Sequence, residues 1–464
     1  MASDAPNPAT PSPGDLPATK GAPDDGSRPG DAPAPARPEA TLPDAPEAAG
    51  SRGEAEAAAA EQRKSDPPEA RAVAGEPGAW PWLRERYFSF DRRLLGVFRI
   101  YFGFLLLIDV LRRIPDSTFF YSNDGILSNH YSLFAPMIRP YFSLYTAFST
   151  PLEVKVAFVL TALAYVPYIV GYRTKLFQVI ALVLYTSLNA RNHFLENGGC
   201  IMVGLVACWT MFLPLGDRFS VDALLKSLRA RRDNTAAALN DRTDIQPDRT
   251  LHVTLVALVI LLQIAVCYFF NTVHKTGATW KNGEAIHWVL WQNRIATALT
   301  DVIRMHEPRW MSPLLTRFTL IIEGSAPLLV LVPFWFRWTR PVHFFLTTGL
   351  HLSIAAMMTL GPFSYVMVAL NMLALTPNVF DWLSGLLERG RTERTVVYDP
   401  RDPGLHHVAR ILSRLDTFEL LHFMDRNEIS AAARPDYRDP PEGDAPPGKG
   451  MTKAALAKVS FATL

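Results

Sequence analysis

Eight stretches of this chain, at residues 94–111, 155–171, 176–190, 199–215, 253–270, 318–336, 342–360 and 363–380, are almost wholly apolar. The hydrocarbon core of a bilayer takes about 20 apolar residues of helix, and on a hydropathy-window criterion these stretches predict about eight transmembrane helices. The expected fold class is an all-α polytopic membrane protein. Of the 464 residues 49% are hydrophobic and 19% charged, a mean that conceals polar ends around an apolar centre.

Residues 1–78 are rich in Pro, Ala, Asp, Glu and Gly, as in "APAPARPEATLPDAPEAAG". They offer too few aliphatic or aromatic side chains for a core and read as a disordered arm. The arm lacks the basic n-region and short apolar h-region of a signal peptide, so the first span is expected to be an uncleaved anchor. A formal charge of +2 without a basic stripe excludes nucleic acid as the expected partner. Cys200, Cys208 and Cys267 lie in apolar stretches with no CxxC or Cys/His ligand spacing, so neither a disulfide framework nor a metal site is expected.

Cations set the expected orientation. Arg84, Arg86, Arg92 and Arg93 precede the first span, and Lys226, Arg229, Arg231, Arg232 and Arg242 follow the fourth. An excess of Lys and Arg marks the cytoplasmic side. Arg173, Lys175, Arg337 and Arg340 fall on that side under alternation, against Arg112, Arg113 and Arg139 in the first outer loop. Both termini are expected to be cytoplasmic.

The segment after the fifth stretch then faces outward and reads "NTVHKTGATWKNG" (271–283), with His274 and Lys275 side by side and Trp280 beyond them. Next, "EAIHWVLWQNRIATALTDVIR" (284–304) sets Ile286, Val289, Leu290, Ile295, Leu299 and Ile303 roughly on one helical face. This is either an interfacial amphipathic helix or an ordinary short outer helix with belt tryptophans Trp288 and Trp291. Both place Lys275 at the outer membrane surface, where a lysine ordinarily snorkels to the headgroups.

Ionisable groups in hydrocarbon are costly and are presumed to face protein or water. Arg99, Asp109, Glu323 and His351 are the clearest cases, either as a packing network of Arg99, Asp109 and Glu323 or as contacts to a substrate. In "RNHFLENGGC" (191–200), His193 precedes two glycines that allow close backbone approach. It is expected at the outer level of Lys275, as a hydrogen-bonded loop residue or as part of a site.

Taken in order, "VFRIYFGFLLLIDVLRR", "RNHFLENGG", "VHKTGATW" and "FSYVMVA" resemble the membrane domain of vitamin K-dependent gamma-carboxylase and its bacterial relatives, the HTTM family, across residues 94–380. The resemblance implies that Lys275 is the base that deprotonates a reduced vitamin K or another quinol, with His193 as a second functional residue. His274, Trp280 and His351 are then candidates for the quinol pocket. In that scheme oxidation of the quinol by dioxygen gives a strong base that removes a γ-proton from a glutamate, and the carbanion captures carbon dioxide without a metal. The implied partners are membrane lipid, a lipid-soluble quinol and a Glu-containing peptide or protein, and the implied location is a bacterial inner membrane. An amine is protonated at pH 7 unless burial disfavours its charge, so Lys275 can serve as a base only where it is shielded from water.

The large extracytoplasmic domain of the carboxylase is not expected here, which favours quinol oxygenation over peptide carboxylation. Residues 386–432 contain "TVVYDPRDPGLHHVARILSRLDTFELLHFMD", a strand, helix and strand resembling the start of a thioredoxin-like domain of the DCC family. Asp402 and Leu405 stand where that family has its CxxC, so a small α/β remnant without dithiol chemistry is expected. Residues 433–464 read as a disordered tail. The membrane domain is assigned to 79–385. The alternative function is a non-enzymatic membrane carrier or assembly protein.

Overall fold

A short helix α1 (Ala79–Tyr87) and strand β1 (Ser89–Phe90) lead into α2 (Arg92–Arg113), which starts where the Asp91 carboxylate accepts the Arg93 N–H at 2.7 Å. The computed structural model describes residues 79–134, 142–233, 251–388, 394–398, 402–416, 420–425 and 461–463. The arm expected at 1–78 and nearly all of the tail expected at 433–464 lie outside the described residues. Residues 77–464 form one unit.

The helix α3 (Pro151–Val170) shows how local chemistry sets its ends. Thr150 and Glu153 cap each other's backbone N–H at the start, Pro151 fits the first turn, and Gly171 closes the end at φ 73°. Then come α4 (Thr174–Arg191), α5 (Gly198–Thr210) and α6 (Val221–Asp233). Strand β2 (His252–Val253) pairs antiparallel with β1, Phe90 opposite His252, and starts α7 (Leu255–Val273). Beyond three short helices, α8 (Ala278–Asn282), α9 (Ala285–Leu290) and α10 (Ala298–Met305), the chain re-enters the bundle as α11 (Met311–Leu331), α12 (Phe336–Met357), α13 (Phe363–Met372) and α14 (Pro377–Glu388).

The expectation of about eight spans is corrected. Among the described residues four helices, α2, α3, α7 and α11, are long and apolar enough to cross a membrane, or five if α13 and α14, bent by 93° at their junction, count as one. The other stretches fail for identifiable reasons. As folded, α4 includes Lys175, Gln178, Asn189 and Arg191, and α12 includes Arg337, Arg340, His343 and His351. Helix α5 has only 13 residues. Windows drawn on the apolar run stop short of these polar turns or average over them, whereas the helix carries them as one rigid rod.

Side chains such as Leu160, Leu163, Phe269, Ile321 and Phe345 are exposed while Arg99, His343 and Asn371 are buried. An apolar exterior around a partly polar interior is what a hydrocarbon solvent selects. Gly103 permits a close helix contact, since a Cβ there would lie 2.6 Å from Ile169 of α3.

Two further expectations are overturned. Residues 284–304 do not form one amphipathic helix: α9 stops at Leu290, and Trp291 to Thr297 are irregular before α10. An isolated bridge pairs Ala296 with Met358, and the Thr297 N–H donates to the Met357 carbonyl, so this stretch is tied to the end of α12. The C-terminal segment is not a distinct α/β module. Strand β3 (Arg394–Tyr398), α15 (Pro403–Leu415) and β4 (Leu421–Asp425) place β3 between β4, in parallel, and β5 (Phe461–Thr463), antiparallel. Helix α15 packs on α6 through Arg410, whose guanidinium donates to the Ser227 carbonyl. Asp402 is the N-cap of α15, its carboxylate accepting from Gly404 and Leu405.

Candidate functional site: a buried polar chain beside Lys275

Hydrogen bonds gather the helix ends at two faces. At the arginine-rich face, Arg99 is fully buried and donates to the carbonyls of Ile169 (3.3 Å), Leu215 (2.7 Å), Arg218 (3.2 Å) and Phe219. It ties α2 to the turn after α3 and to the loop after α5, and makes no pair with Glu323. At the opposite face Asp109 is buried with Arg113 at 2.7 Å, and Arg113 donates onward to the Tyr121 hydroxyl at 2.8 Å. Arg99, Asp109 and Glu323 therefore do not form a single network. Arg99 joins separate elements, Glu323 meets Lys275, and Asp109 pairs within α2, reaching Tyr121 only through Arg113.

Lys275 follows the end of α7 at that opposite face, and its ammonium reaches the Glu323 carboxylate of α11. Glu323 lies twelve residues into α11, about 18 Å along its axis at 1.5 Å per residue. The lysine stem lies along the helices and its head is drawn inward, the reverse of snorkelling. The Trp280 ring of α8 covers it, with Nζ 5.0 Å from the centroid, a cation–π contact. The lysine side chain is 14% exposed and Glu323 5%.

Deeper in the bundle the buried polar groups of α7, α12 and α13 form a chain. Asn371 donates through Nδ2 to the Tyr268 hydroxyl at 2.6 Å, and the hydroxyl lies 2.8 Å from His351 Nε2. His343 Nε2 lies 3.2 Å from the Asn371 carbonyl oxygen. Valence fixes part of the direction. The amide oxygen only accepts, so His343 Nε2 donates to it; the Tyr268 oxygen accepts from Asn371, and its bond with His351 Nε2 runs either way with the imidazole tautomer. All four side chains are buried, in a region where each polar group without a partner is costly.

Of the residues singled out from the sequence, Lys275, Trp280 and Glu323 meet, and His351 joins the chain through Tyr268. His274 does not face the ion pair. It is exposed, and its Nδ1 donates to the Phe270 carbonyl at 2.7 Å, closing α7. His193 lies half-buried on a single 3-10 turn between α4 and α5, which Asn192 caps through the Phe194 N–H. Tyr268, His343 and Asn371 were missed because each is uncharged or only weakly basic and sits in a mainly apolar run, with its partners on other helices. The available signal was the i, i+4, i+8 series His343, Thr347, His351 on one face of α12. Among the described residues no group of three His, Cys, Asp or Glu side chains converges as a metal site.

This geometry defines a class: a helical membrane protein with a lysine–carboxylate pair at one face and a hydrogen-bonded polar chain in its interior. Residues 87–382, well over half of the chain, match the HTTM domain, and the chain belongs to that family. No curated protein and no solved structure matches it.

Proposed function

We propose that the Lys275–Glu323 pair is a proton-accepting site for a weak acid that reaches it from the lipid, a quinol being the class that the gamma-carboxylase resemblance supplies. The single observation that carries this reading is the burial of a cation and a carboxylate together under Trp280 at one membrane face. Intramembrane ionisable groups are expensive to keep, and a pair that only joined helices could be replaced by apolar packing at little cost.

The residues fit such a ligand. The pair is partly open to one side, an aromatic ring lies over it, and lipid-facing Phe270 and Phe318 stand on the same two helices. Reduced vitamin K or another quinol would supply an acidic hydroxyl and, with dioxygen, the driving force for abstracting a further proton. The chain's own work is to hold charge and move the proton. The Glu323 carboxylate has the free lone pairs and accepts it, while the Lys275 ammonium stays close and compensates negative charge on the ligand. In this reading the carboxylate, and not a lone neutral lysine, is the base. Carboxylation of a Glu-containing acceptor with carbon dioxide would be a later step, as would epoxide formation without carboxylation.

The other reading is a non-enzymatic carrier or assembly protein in which the pair clamps α7 to α11. It draws on Arg99, which serves to join elements. Full-length protein in lipid nanodiscs with reduced vitamin K and oxygen separates the two. Proton acceptance predicts epoxide from wild type, and loss of at least tenfold in both Lys275→Ala and Glu323→Gln at unchanged folding. Folded wild type that yields no oxidised product with any of several quinols would leave the clamp. A labelled carbon dioxide and Glu-peptide arm then tests carboxylation.

A further inference from the structure

At the arginine-rich face, far from Lys275, a cavity of about 620 Å³ opens between the start of α2, the start of α4, the loop after α5 and α6. Six cationic side chains line it: Arg92, Arg173, Lys175, Arg218, Lys226 and Arg414. Only two carboxylates do, and both are committed. Asp217 is paired with Arg92. Asp222 accepts from the Arg173 N–H (2.8 Å), the Thr174 N–H (2.6 Å) and the Thr174 hydroxyl (2.7 Å), so it serves as the cap that starts α4. The Lys175 ammonium is held by the carbonyls of Met211 (2.8 Å) and Leu213 (2.7 Å). Arg173 and Lys226 form no ion pair among the described residues. They also line an adjoining cavity with Arg229.

The backbone adds to this. Arg173 stands at φ 46°, in the left-handed region that glycine fills without strain, directly after Gly171 and Tyr172. The bond from its N–H to the Asp222 carboxylate holds the backbone in that conformation and fixes where the side chain leaves the turn. Apolar side chains stand close by in the chain: Val170, Tyr172, Leu176 and Phe212 are exposed where α3 and α5 end and α4 begins, Leu176 lining the cavity and Tyr172 the adjoining one. The cations therefore sit at the ends of helices whose exposed side chains are apolar.

We propose that this cavity binds a phosphate-bearing anion, with Arg173 and Lys226 as its principal charge contacts and Lys175 positioned by its carbonyl partners at the edge. A phosphodiester has the right charge and acceptor geometry for guanidinium and ammonium donors, and the cavity has the volume of a small-molecule site. The phosphate belongs either to an anionic lipid headgroup or to a soluble phosphate compound. The site is independent of the proton chemistry proposed for Lys275.

Full-length protein is placed in nanodiscs of phosphatidylcholine with or without one-fifth phosphatidylglycerol, and the co-purifying lipid is counted by native mass spectrometry; inorganic phosphate is titrated in parallel. Wild type is expected to retain phosphatidylglycerol over phosphatidylcholine by at least fivefold. Arg173→Gln with Lys226→Gln removes that preference, and the charge-conserving Arg173→Lys with Lys226→Arg keeps it. Arg84→Gln with Arg337→Gln, on the same face but outside this cavity, also keeps it. Retention that millimolar phosphate displaces assigns the site to soluble phosphates; retention that it does not displace assigns it to lipid. An equal loss in the Arg84/Arg337 pair, or no selective binding of either ligand, overturns the proposal.

Discussion

The Tyr268 hydroxyl of α7 lies 2.8 Å from Nε2 of His351 on α12 and accepts from Asn371 of α13 at 2.6 Å, so one oxygen joins three helices. In this chain the hydroxyl is the atom that touches both the Asn371 amide and the His351 ring.

Removing it alone tests whether the chain is a unit. Tyr268→Phe leaves the Asn371 amide and the His351 ring without their partner, and a buried unpaired polar group costs about 1–3 kcal/mol. The melting temperature in detergent is expected to fall. Asn371→Leu combined with Tyr268→Phe should cost less than the sum of the two, because the second change removes the donor that the first left unpaired. Additive losses would show that the two side chains act separately.

Arg99 makes a separate demand. Its guanidinium satisfies the carbonyls of Leu215, Arg218, Phe219 and Ile169 from a fully buried position. Arg99→Leu leaves these acceptors unpaired and is expected to destabilise by more than about 2 kcal/mol, since bonds to charged groups are the stronger ones. Gly171→Ala tests the same junction from the other side. The residue sits at φ 73°, and an added Cβ would lie 2.8 Å from Arg99 Cζ and 2.5 Å from Ser220 Cβ. The left-handed backbone alone costs about 1–2 kcal/mol in an alanine. Yield of monodisperse protein and thermal melting report both.

His252 gives the fold a pH dependence outside the membrane spans. Burial, and then the nearby Arg92 cation, hold its pKa below the usual 6.5. The unfolded chain thus takes up the proton at a higher pH than the folded one. Stability is full above about 6.5 and is lost as the pH falls through the lower, folded value. Melting at pH 8 and pH 5 should show a larger drop for wild type than for His252→Asn. Equal drops would place the acid sensitivity elsewhere.

What the sequence determined on its own is the solvent and much of the chemistry. Apolar runs separated by arginine-bearing turns state that this chain folds around a bilayer, and the nearness of Lys275 and Trp280 in sequence carries over into their contact in the fold. The number of spans was not legible that way. Whether an apolar run is a full rod depends on where its helix starts and stops, and Lys175, Gln178 and Arg191 become part of α4 only once capping and packing fix its ends. Partners distant in sequence were beyond reach for the same reason. Glu323 could be recognised as costly, but that it meets Lys275 rather than Arg99 follows from α7 packing against α11. Tyr268, His343 and Asn371, on separate helices, become a chain only when three helices bring them together, because burial favours pairing of polar groups and the tertiary fold decides the partners.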